Sequence, residues 1–122
     1  MTTGEAHSTR IRLAALLGAI AVAAGAFGAH ALNGRVTEAR LDTWETAARY
    51  QLIHAVLLYL LATTPRVLSY RLITAGVLVF SGSLYALVLL DLPWLGAITP
   101  FGGVCLILGW LTLTRAPRPE SA

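Results

Sequence analysis

Residues 13–32 read LAALLGAIAVAAGAFGAHAL, and this stretch decides the class of protein. Its only ionisable side chain is that of His30, two residues from the end. An apolar stretch of about 20 residues can cross the hydrocarbon core of a bilayer as a helix, because a helix satisfies its own backbone hydrogen bonds. The stretch therefore predicts a transmembrane helix.

Three further apolar stretches follow, at about 43–64, 72–90 and 95–114. The chain is 57% hydrophobic and 12% charged, and its mean hydropathy of +0.70 lies outside the range of ordinary soluble domains. We expect an all-α integral membrane protein, a four-transmembrane-helix bundle in residues 13–114, with short tails at 1–12 and 115–122.

The arginines predict the orientation of this bundle. All nine basic residues are arginine, and six of them lie in the two tails and in the 65–71 loop. The other three, Arg35, Arg40 and Arg49, lie towards the opposite side. The positive-inside rule then places both termini in the cytoplasm. Because the arginines flank apolar segments and form no stripe on a folded surface, we expect no nucleic-acid binding.

A cleaved signal peptide is the alternative for the first segment. Arg10 and Arg12 precede the apolar stretch, and Ala29-His30-Ala31 resembles a small-x-small cleavage site. Roughly 17 residues separate Leu13 from that motif, however, which is longer than the apolar region of about 7 to 15 residues in a signal peptide. Length therefore favours an uncleaved helix.

Local signals predict where two helices begin. Asp42 and Glu45 form a D-x-x-E variant of the capping box, so helix two is expected to start near Thr43. In the fourth segment Thr99 is the expected N-cap, because Pro100 is tolerated in a first helical turn.

Small residues recur along the first segment at four-residue spacing, which lets helices approach closely in lipid. We therefore expect the first helix to be central in the bundle. Gly76 and Gly109 offer further close-approach surfaces in the later helices. The predicted packing positions are Gly18, Ala21, Gly25, Gly28, Gly82, Gly102 and Gly103.

Polar residues gather on the side where helix one ends and helix two begins. His30 closes helix one, and His54 follows in helix two at a depth that can share one leaflet with it. Two interpretations remain open. In the first, Arg49 pairs with Glu45 or with the carbonyls of residues 28–31 and simply closes the connection. In the second, the residues line an outer-leaflet pocket for an anionic headgroup, a quinone carbonyl or a proton. The candidate pocket residues are His30, Arg49, Tyr50, Gln51, His54, Ser81, Ser83, Tyr85 and Thr99.

Catalytic and metal sites have weak support. His30 and His54 lack the cysteines or carboxylates of a specific metal pattern. Ser81-Gly82-Ser83 lacks the flanking residues of a nucleophile elbow. Cys105 lies within the fourth apolar stretch, where a buried, inert thiol is expected. We expect no metal, no cofactor and no enzyme activity.

Four motifs in this order, GAFGAHAL, AARYQLIHA, FSGSLYAL and ITPFGG, resemble the small bacterial membrane proteins grouped as domain of unknown function 423, whose eukaryotic relatives are called transmembrane protein 256. The resemblance covers about residues 13–113. It implies four transmembrane helices, an uncleaved first helix and no established activity. The motif positions of that family fall on Gly25, Gly28, His30, Arg49, Tyr50, Gln51, His54, Ser81, Gly82, Ser83, Tyr85, Thr99, Pro100, Gly102 and Gly103.

We therefore expect a small protein of the bacterial inner membrane that contacts lipid and serves as an accessory subunit of a membrane complex or as a homo-oligomer. The alternative is a protein that binds or transports a lipid, a quinone or a small solute through the polar pocket.

Overall fold

The computed structural model describes residues 1–116 and is all-helical. The helices are α1 (Thr3–Phe27), α2 (Glu38–Leu61), α3 (Val67–Leu90) and α4 (Thr99–Thr112). Helix α1 continues into a π-helical turn at Gly28–Leu32, which we call the π-turn, and a 3₁₀ turn at Pro93–Ala97 precedes α4. The last six residues of the predicted carboxyl-terminal tail, 117–122, lie outside the described residues.

Three helical segments are long and apolar enough to cross a membrane: Thr3–Leu32, Val67–Leu90 and Pro93–Thr112. They correspond to the first, third and fourth predicted spans. The second predicted span, in α2, is absent from this set because charged and polar side chains interrupt its apolar character. Helix α2 has 24 residues and is therefore about 36 Å long.

Helix α1 begins ten residues before the predicted span, so most of the predicted amino-terminal tail is helical. The hydroxyl of Thr2 accepts a hydrogen bond from the backbone N–H of Glu5, and the Glu5 carboxylate accepts one from the N–H of Thr2. This reciprocal capping box fixes the first turn.

The predicted start of α2 is wrong. The N-cap is Thr37, whose hydroxyl accepts a hydrogen bond from the N–H of Arg40 at 3.2 Å. Asp42 therefore lies inside the helix and caps nothing. A threonine in extended conformation directly before a helix is as good a cap as the D-x-x-E motif, and here the earlier signal determines the helix start.

Thr99 is the first residue of α4 and not its N-cap, because Ile98 occupies the cap position in helical conformation. The Thr99 hydroxyl instead bonds to Ser83 of α3. The helix does begin at Thr99, as expected, and Leu95 to Ala97 belong to the preceding 3₁₀ turn.

Each helix packs against its neighbours in the chain: α1 on α2, α2 on α3, and α3 on α4. Helix α1 is therefore at one end of the arrangement, and its predicted central position is wrong. Its small residues Ala14 and Ala21 are buried, and α2 is the described helix against which α1 packs closely. The main apolar cluster includes residues from all four helices, with Leu58 and Ile73 fully buried within it.

The closest helix contact is between α3 and α4. A Cβ atom added at Gly102 would lie 2.4 Å from the backbone nitrogen of Phe80, and one added at Gly76 would lie 2.9 Å from that of Leu106. A Cβ atom added at Gly109 would lie 2.6 Å from the side-chain Cδ1 and 3.3 Å from the backbone nitrogen of Ile73.

The predicted packing positions divide into three groups. Gly28 and Gly102 make close contacts that exclude a Cβ atom. Gly18, Ala21 and Gly103 are in ordinary contact or buried. Gly25 and Gly82 have no neighbouring atom within 4 Å of an added Cβ, so neither packs against another described helix.

Candidate functional site

Gln51 connects three helices at the centre of the bundle. The side chain projects from α2 and is only 3% exposed. Its amide nitrogen donates a hydrogen bond to the carbonyl of Leu17 in α1 at 2.8 Å, and its amide oxygen accepts one from the hydroxyl of Tyr85 in α3 at 2.7 Å. Both ends of the amide are therefore engaged within the protein.

The other three predicted hydroxyl residues of α3 and α4, besides Tyr85, form similar links. Ser81 donates to the carbonyl of Ala47 in α2 at 2.8 Å. Ser83 donates to the carbonyl of Phe80, and its oxygen lies 2.6 Å from that of Thr99. Because Ser83 has one proton to give, Thr99 is the donor in the second bond.

His54 is held by two hydrogen bonds that determine its tautomer. Nδ1 lies 2.7 Å from the carbonyl oxygen of Tyr50, which can only accept, so Nδ1 carries a proton. Nε2 lies 3.0 Å from the indole N–H of Trp110, which can only donate, so Nε2 is unprotonated. The imidazole is therefore neutral, and it links α2 to α4.

Tyr50 lies beside this histidine and takes part through its ring. The ring stacks on that of Phe80 with centroids 4.6 Å apart, and the residue is 40% exposed. Tyr50 thus contributes its backbone carbonyl and an aromatic surface to the site.

His30 lies away from these residues. It is exposed in the π-turn, near the start of α2. Gly18 faces Ala55, the neighbour of His54, so the 12 residues from Gly18 to His30 separate the two histidines by about 18 Å along the bundle. The expectation that they share one leaflet is corrected because α2 begins at Glu38, which puts His54 about 24 Å along the helix.

Arg49 is exposed and does not make the contacts expected of it. The ion pair found among residues 1–116 joins Arg40 to Asp91 and does not involve Arg49 or Glu45. The end of α1 is instead contacted by Trp44, whose indole N–H donates to the carbonyl of Ala24 at 2.7 Å.

Sequence reasoning did not identify Trp44 and Trp110 as hydrogen-bond donors. Trp44 is 6% exposed and packs against Gly28 and Tyr85. A useful signal exists, since a buried indole N–H needs an acceptor and tryptophans in apolar helices are therefore candidates for interhelical bonds.

A groove of about 210 Å³ opens between α1 and α3, with α2 at its floor. Of the nine candidate pocket residues only Gln51, Ser81 and Tyr85 line it. The remaining lining residues are Leu17, Ile20, Val77, Leu78 and Gly82. The predicted pocket thus becomes a mainly apolar groove whose polar groups already have partners.

A second set of bonds joins the opposite ends of the helices. Tyr70 donates to the carbonyl of Arg10 at 2.9 Å, and the guanidinium of that arginine lies over the tyrosine ring. Ser69 bonds to the hydroxyl of Thr112 at 2.7 Å.

Within residues 1–116, no group of three or more His, Cys, Asp or Glu side chains could hold a metal ion.

Comparison with known proteins places the chain among membrane proteins. Residues 24–103 match the family described as Protein of unknown function (DUF423). A UPF0382 membrane protein of Staphylococcus aureus is 44% identical over 112 residues, which cover 87% of this chain and 92% of the relative. The UPF0382 membrane protein YwdK of Bacillus subtilis is 40% identical over 114 residues, covering 87% and 93%. No solved structure matches the chain. The match extends over most of both chains and includes the motifs that build the helix contacts described above, so the chain belongs to the DUF423 family of membrane proteins.

Proposed function

We propose that this chain crosses the bacterial inner membrane four times and serves as a non-enzymatic accessory subunit, either of a larger membrane complex or of a homo-oligomer. The observation that carries the proposal is that the polar residues classed as buried in residues 1–116 all bond within the chain. Each of them bonds to another helix of the same chain, and the set is Gln51, His54, Ser69, Ser81 and Thr99.

Such bonds contribute to helix association in lipid, where the alternative is a polar group without a partner. A catalytic or transport site needs polar groups that remain available to a substrate. The interior of this bundle offers few of them among the described residues. Its outer surface, in contrast, is rich in exposed apolar side chains that suit lipid or another membrane helix.

The proposal includes α2 as the fourth span and both termini in the cytoplasm. Helix α2 packs between α1 and α3, and Arg40 near its start bonds to the carbonyl of Val88 near the end of α3. At the other end Arg10 contacts Tyr70, and Arg66 bonds to the carbonyl of Thr112. These contacts support an antiparallel bundle with Arg10 and Arg66 on one side, the side that the positive-inside rule makes cytoplasmic.

Isolation in a mild detergent at native expression tests the accessory role. We expect the chain to migrate as part of a stable assembly, containing either a different membrane protein or further copies of itself. Recovery of monomer alone, from membranes treated with a crosslinker before extraction, would contradict the proposal.

The groove between α1 and α3 supports a second candidate, binding of a lipid chain or a quinone. Gly82 lines the groove and has free space around it, so Gly82→Leu fills the groove without a clash. Gly25→Leu is the matched control, because Gly25 is also unconstrained and lies at a similar depth on α1. If the groove binds such a molecule, mass spectrometry will detect less of it with purified Gly82→Leu than with Gly25→Leu. Equal amounts in both variants would rule out this candidate.

A further inference from the structure

A cavity of about 380 Å³ lies where the first turns of α1 meet the loop between α2 and α3. Its polar lining includes His7 and Arg10 of α1 and Thr63 and Thr64 of the loop, and we call it the α1–loop cavity. The Thr64 hydroxyl donates to the carbonyl of Leu61 at 2.8 Å, so its proton is already in use. The side chains of His7 and Thr63 make no hydrogen bond to another part of residues 1–116, and both can donate one to a ligand.

Arg10 is ordered beside this cavity by Tyr70. The tyrosine hydroxyl donates to the carbonyl of Arg10 at 2.9 Å, and the guanidinium carbon lies 5.6 Å from the centroid of the tyrosine ring. A cation–π contact positions a guanidinium without using its N–H groups as donors to oxygen. The ion pair seen in residues 1–116 lies at the other end of the bundle, between Arg40 and Asp91. Arg10 therefore brings a positioned positive charge to the cavity.

Charge is unevenly divided between the two ends of the bundle. The arginines at the end that holds the cavity are Arg10, Arg12, Arg66, Arg71 and Arg115. Within residues 1–116 the carboxylates towards the opposite end are Glu38, Asp42, Glu45 and Asp91. The remaining carboxylate of this part of the chain, Glu5, accepts a hydrogen bond from the N–H of Thr2 and does not line the cavity. The cavity therefore favours an anion and offers no counter-charge to a headgroup ammonium.

The cavity lies at the depth of lipid phosphates. The apolar stretch of α1 begins at Leu13, so Arg10 and His7 lie about 5 and 9 Å beyond it along the helix. The headgroup layer extends about 5 to 8 Å beyond the hydrocarbon core on each side of a bilayer. Helix α3 also begins beside the cavity, at Val67, and its apolar stretch starts at Leu72. Both helices are long and apolar enough to cross a membrane, which brings the cavity to the headgroup layer.

An apolar groove of about 240 Å³ follows on the same side of the bundle, between α1 and α2, and it is distinct from the groove between α1 and α3. Its lining residues are Ala14, Ala15, Gly18, Ala55, Val56 and Tyr59. His7 and Ala14 are seven residues apart, close to two helical turns, so they lie on one side of α1. Thr63 follows Tyr59 by about one turn at the end of α2. The groove therefore leads from the cavity towards the hydrocarbon core.

We propose that this chain binds an anionic phospholipid, with the phosphate in the α1–loop cavity and an acyl chain in the groove between α1 and α2. Arg10 attracts the phosphate, and His7 and Thr63 donate hydrogen bonds to its oxygens. Basic pockets between transmembrane helices bind acidic lipid headgroups in this way. The groove favours a lipid over free phosphate, because an apolar surface gains nothing from an inorganic ion. The inference goes beyond the accessory role and holds with or without a protein partner.

Native mass spectrometry of the full chain in detergent tests the headgroup contacts, with phosphatidylglycerol and phosphatidylcholine of identical acyl chains as probes. We expect tighter binding of phosphatidylglycerol, and a loss of about ten-fold in its affinity with Arg10→Gln, because a charge-assisted hydrogen bond disappears. Arg12→Gln is the matched control, since it removes the same charge two residues away and Arg12 does not line the cavity. Equal losses with both variants, or equal binding of the two lipids, would overturn the proposal.

The groove is tested by Ala15→Leu, which places a larger apolar side chain where the acyl chain is expected. Ala19→Leu is the control, because Ala19 is also exposed on α1 and lies outside the groove lining. We expect weaker binding of phosphatidylglycerol with Ala15→Leu only, and equimolar inorganic phosphate should leave the lipid bound to the parent protein. Unchanged binding with Ala15→Leu, or displacement by inorganic phosphate, would overturn the proposal.

Thr63→Val tests the site even if Arg10→Gln fails to fold. Thr63 is exposed in the loop and valine has a similar shape, so the helical circular dichroism should persist while the affinity for phosphatidylglycerol falls. A folded Thr63→Val protein with the affinity of the parent would contradict the assigned contact.

The outcomes separate this inference from the proposed function. A monomer that prefers phosphatidylglycerol and loses the preference with Arg10→Gln supports the lipid site, although it contradicts the accessory role. A stable assembly whose lipid binding is the same for Arg10→Gln and Arg12→Gln would overturn the inference and leave the accessory role standing.

Discussion

Buried tryptophan and glutamine side chains show how single residues hold this bundle together. Trp44 bonds to a carbonyl of α1 that also accepts the N–H of Gly28, and its ring rests on the glycine itself. Gln51 satisfies both ends of its amide with two different helices. In each case one side chain of α2 combines close packing with a hydrogen bond to a neighbouring helix.

Gly28→Ala should therefore destabilise the protein. The added methyl group would lie 2.6 Å from Cδ1 and 3.0 Å from Nε1 of Trp44, so the indole must move and its bond to Ala24 weakens. Overpacking of this kind costs about 1–3 kcal/mol. Gly25→Ala is the control, because nothing lies within 4 Å of its added Cβ. Thermal unfolding in detergent should show a clearly lower midpoint for Gly28→Ala only. Equal midpoints would mean that the indole relaxes freely.

Gln51→Leu and Tyr85→Phe should be coupled. Each substitution removes the hydrogen bond between these residues, and loss of a buried bond costs about 1–3 kcal/mol when a polar group is left unpaired. The double variant leaves neither group of this bond unpaired, so its loss of unfolding free energy should be smaller than the sum of the two single losses. Denaturant titration of the four proteins gives the coupling energy. Simple additivity would show that the bond is weak in the membrane or detergent environment.

At the scale of elements, the α3–α4 pair is the tightest unit. Gly76, Gly102 and Gly109 leave no room for a Cβ atom, and the hydroxyls of Ser83 and Thr99 bond at one end of this contact. Ser69 and Thr112 bond at the other end. Close backbone approach with polar links at both ends is a common arrangement for membrane helices.

Gly102→Ala should separate α3 from α4. Its Cβ would lie 2.4 Å from a backbone nitrogen and 2.8 Å from a Cα atom of Phe80, and neither can move without shifting the helix. We expect a loss of about 3 kcal/mol or failure to accumulate, at the upper end for overpacking. Gly103→Ala, whose Cβ meets only a ring carbon at 3.9 Å, should accumulate normally. Comparable amounts of both variants in membranes would contradict the close contact.

Much of this arrangement could be predicted from sequence, and the missing parts have physical causes. Apolar length predicts α1, α3 and α4, and the need of polar groups for partners predicts that Gln51 and Ser81 face inwards. Their exact partners could not be predicted, because these depend on how the helices are offset. The offset follows from the start of α2, where Thr37 and Asp42 are competing caps of similar strength. A helix that began at the later cap, Asp42, would bring His54 closer to the depth of His30.

At the scale of the whole molecule, residues 1–116 form a row of helices whose buried polar residues bond to neighbouring helices and whose exterior is mainly apolar. The least apolar helix, α2, lies between two that are apolar enough to span on their own. Polar side chains on its inner side bond to α1, α3 and α4, and its outer side carries Glu45 and Arg49. Helix α2 therefore organises the bundle although it is the least apolar of the four helices.

Labelling with a membrane-impermeant thiol reagent should reveal the proposed topology. In the Cys105→Ser background, Asn33→Cys should react in intact spheroplasts, because the loop after the π-turn is expected outside the cytoplasm. Thr63→Cys, between α2 and α3, should react only after the membrane is broken. Reaction of both in intact spheroplasts would mean that α2 does not cross the membrane.

The bond between His54 and Trp110 has a consequence for biosynthesis. The two residues are 56 positions apart, so at about 5–20 residues per second the ribosome delivers the histidine several seconds before the indole that pairs with it. During that interval the indole N–H that Nε2 accepts from is missing, so His54 depends on the insertion machinery or on water for solvation. Insertion of α4 supplies the Trp110 indole to His54. We therefore expect the nascent chain to reach its final arrangement in the lipid only after α4 has been made.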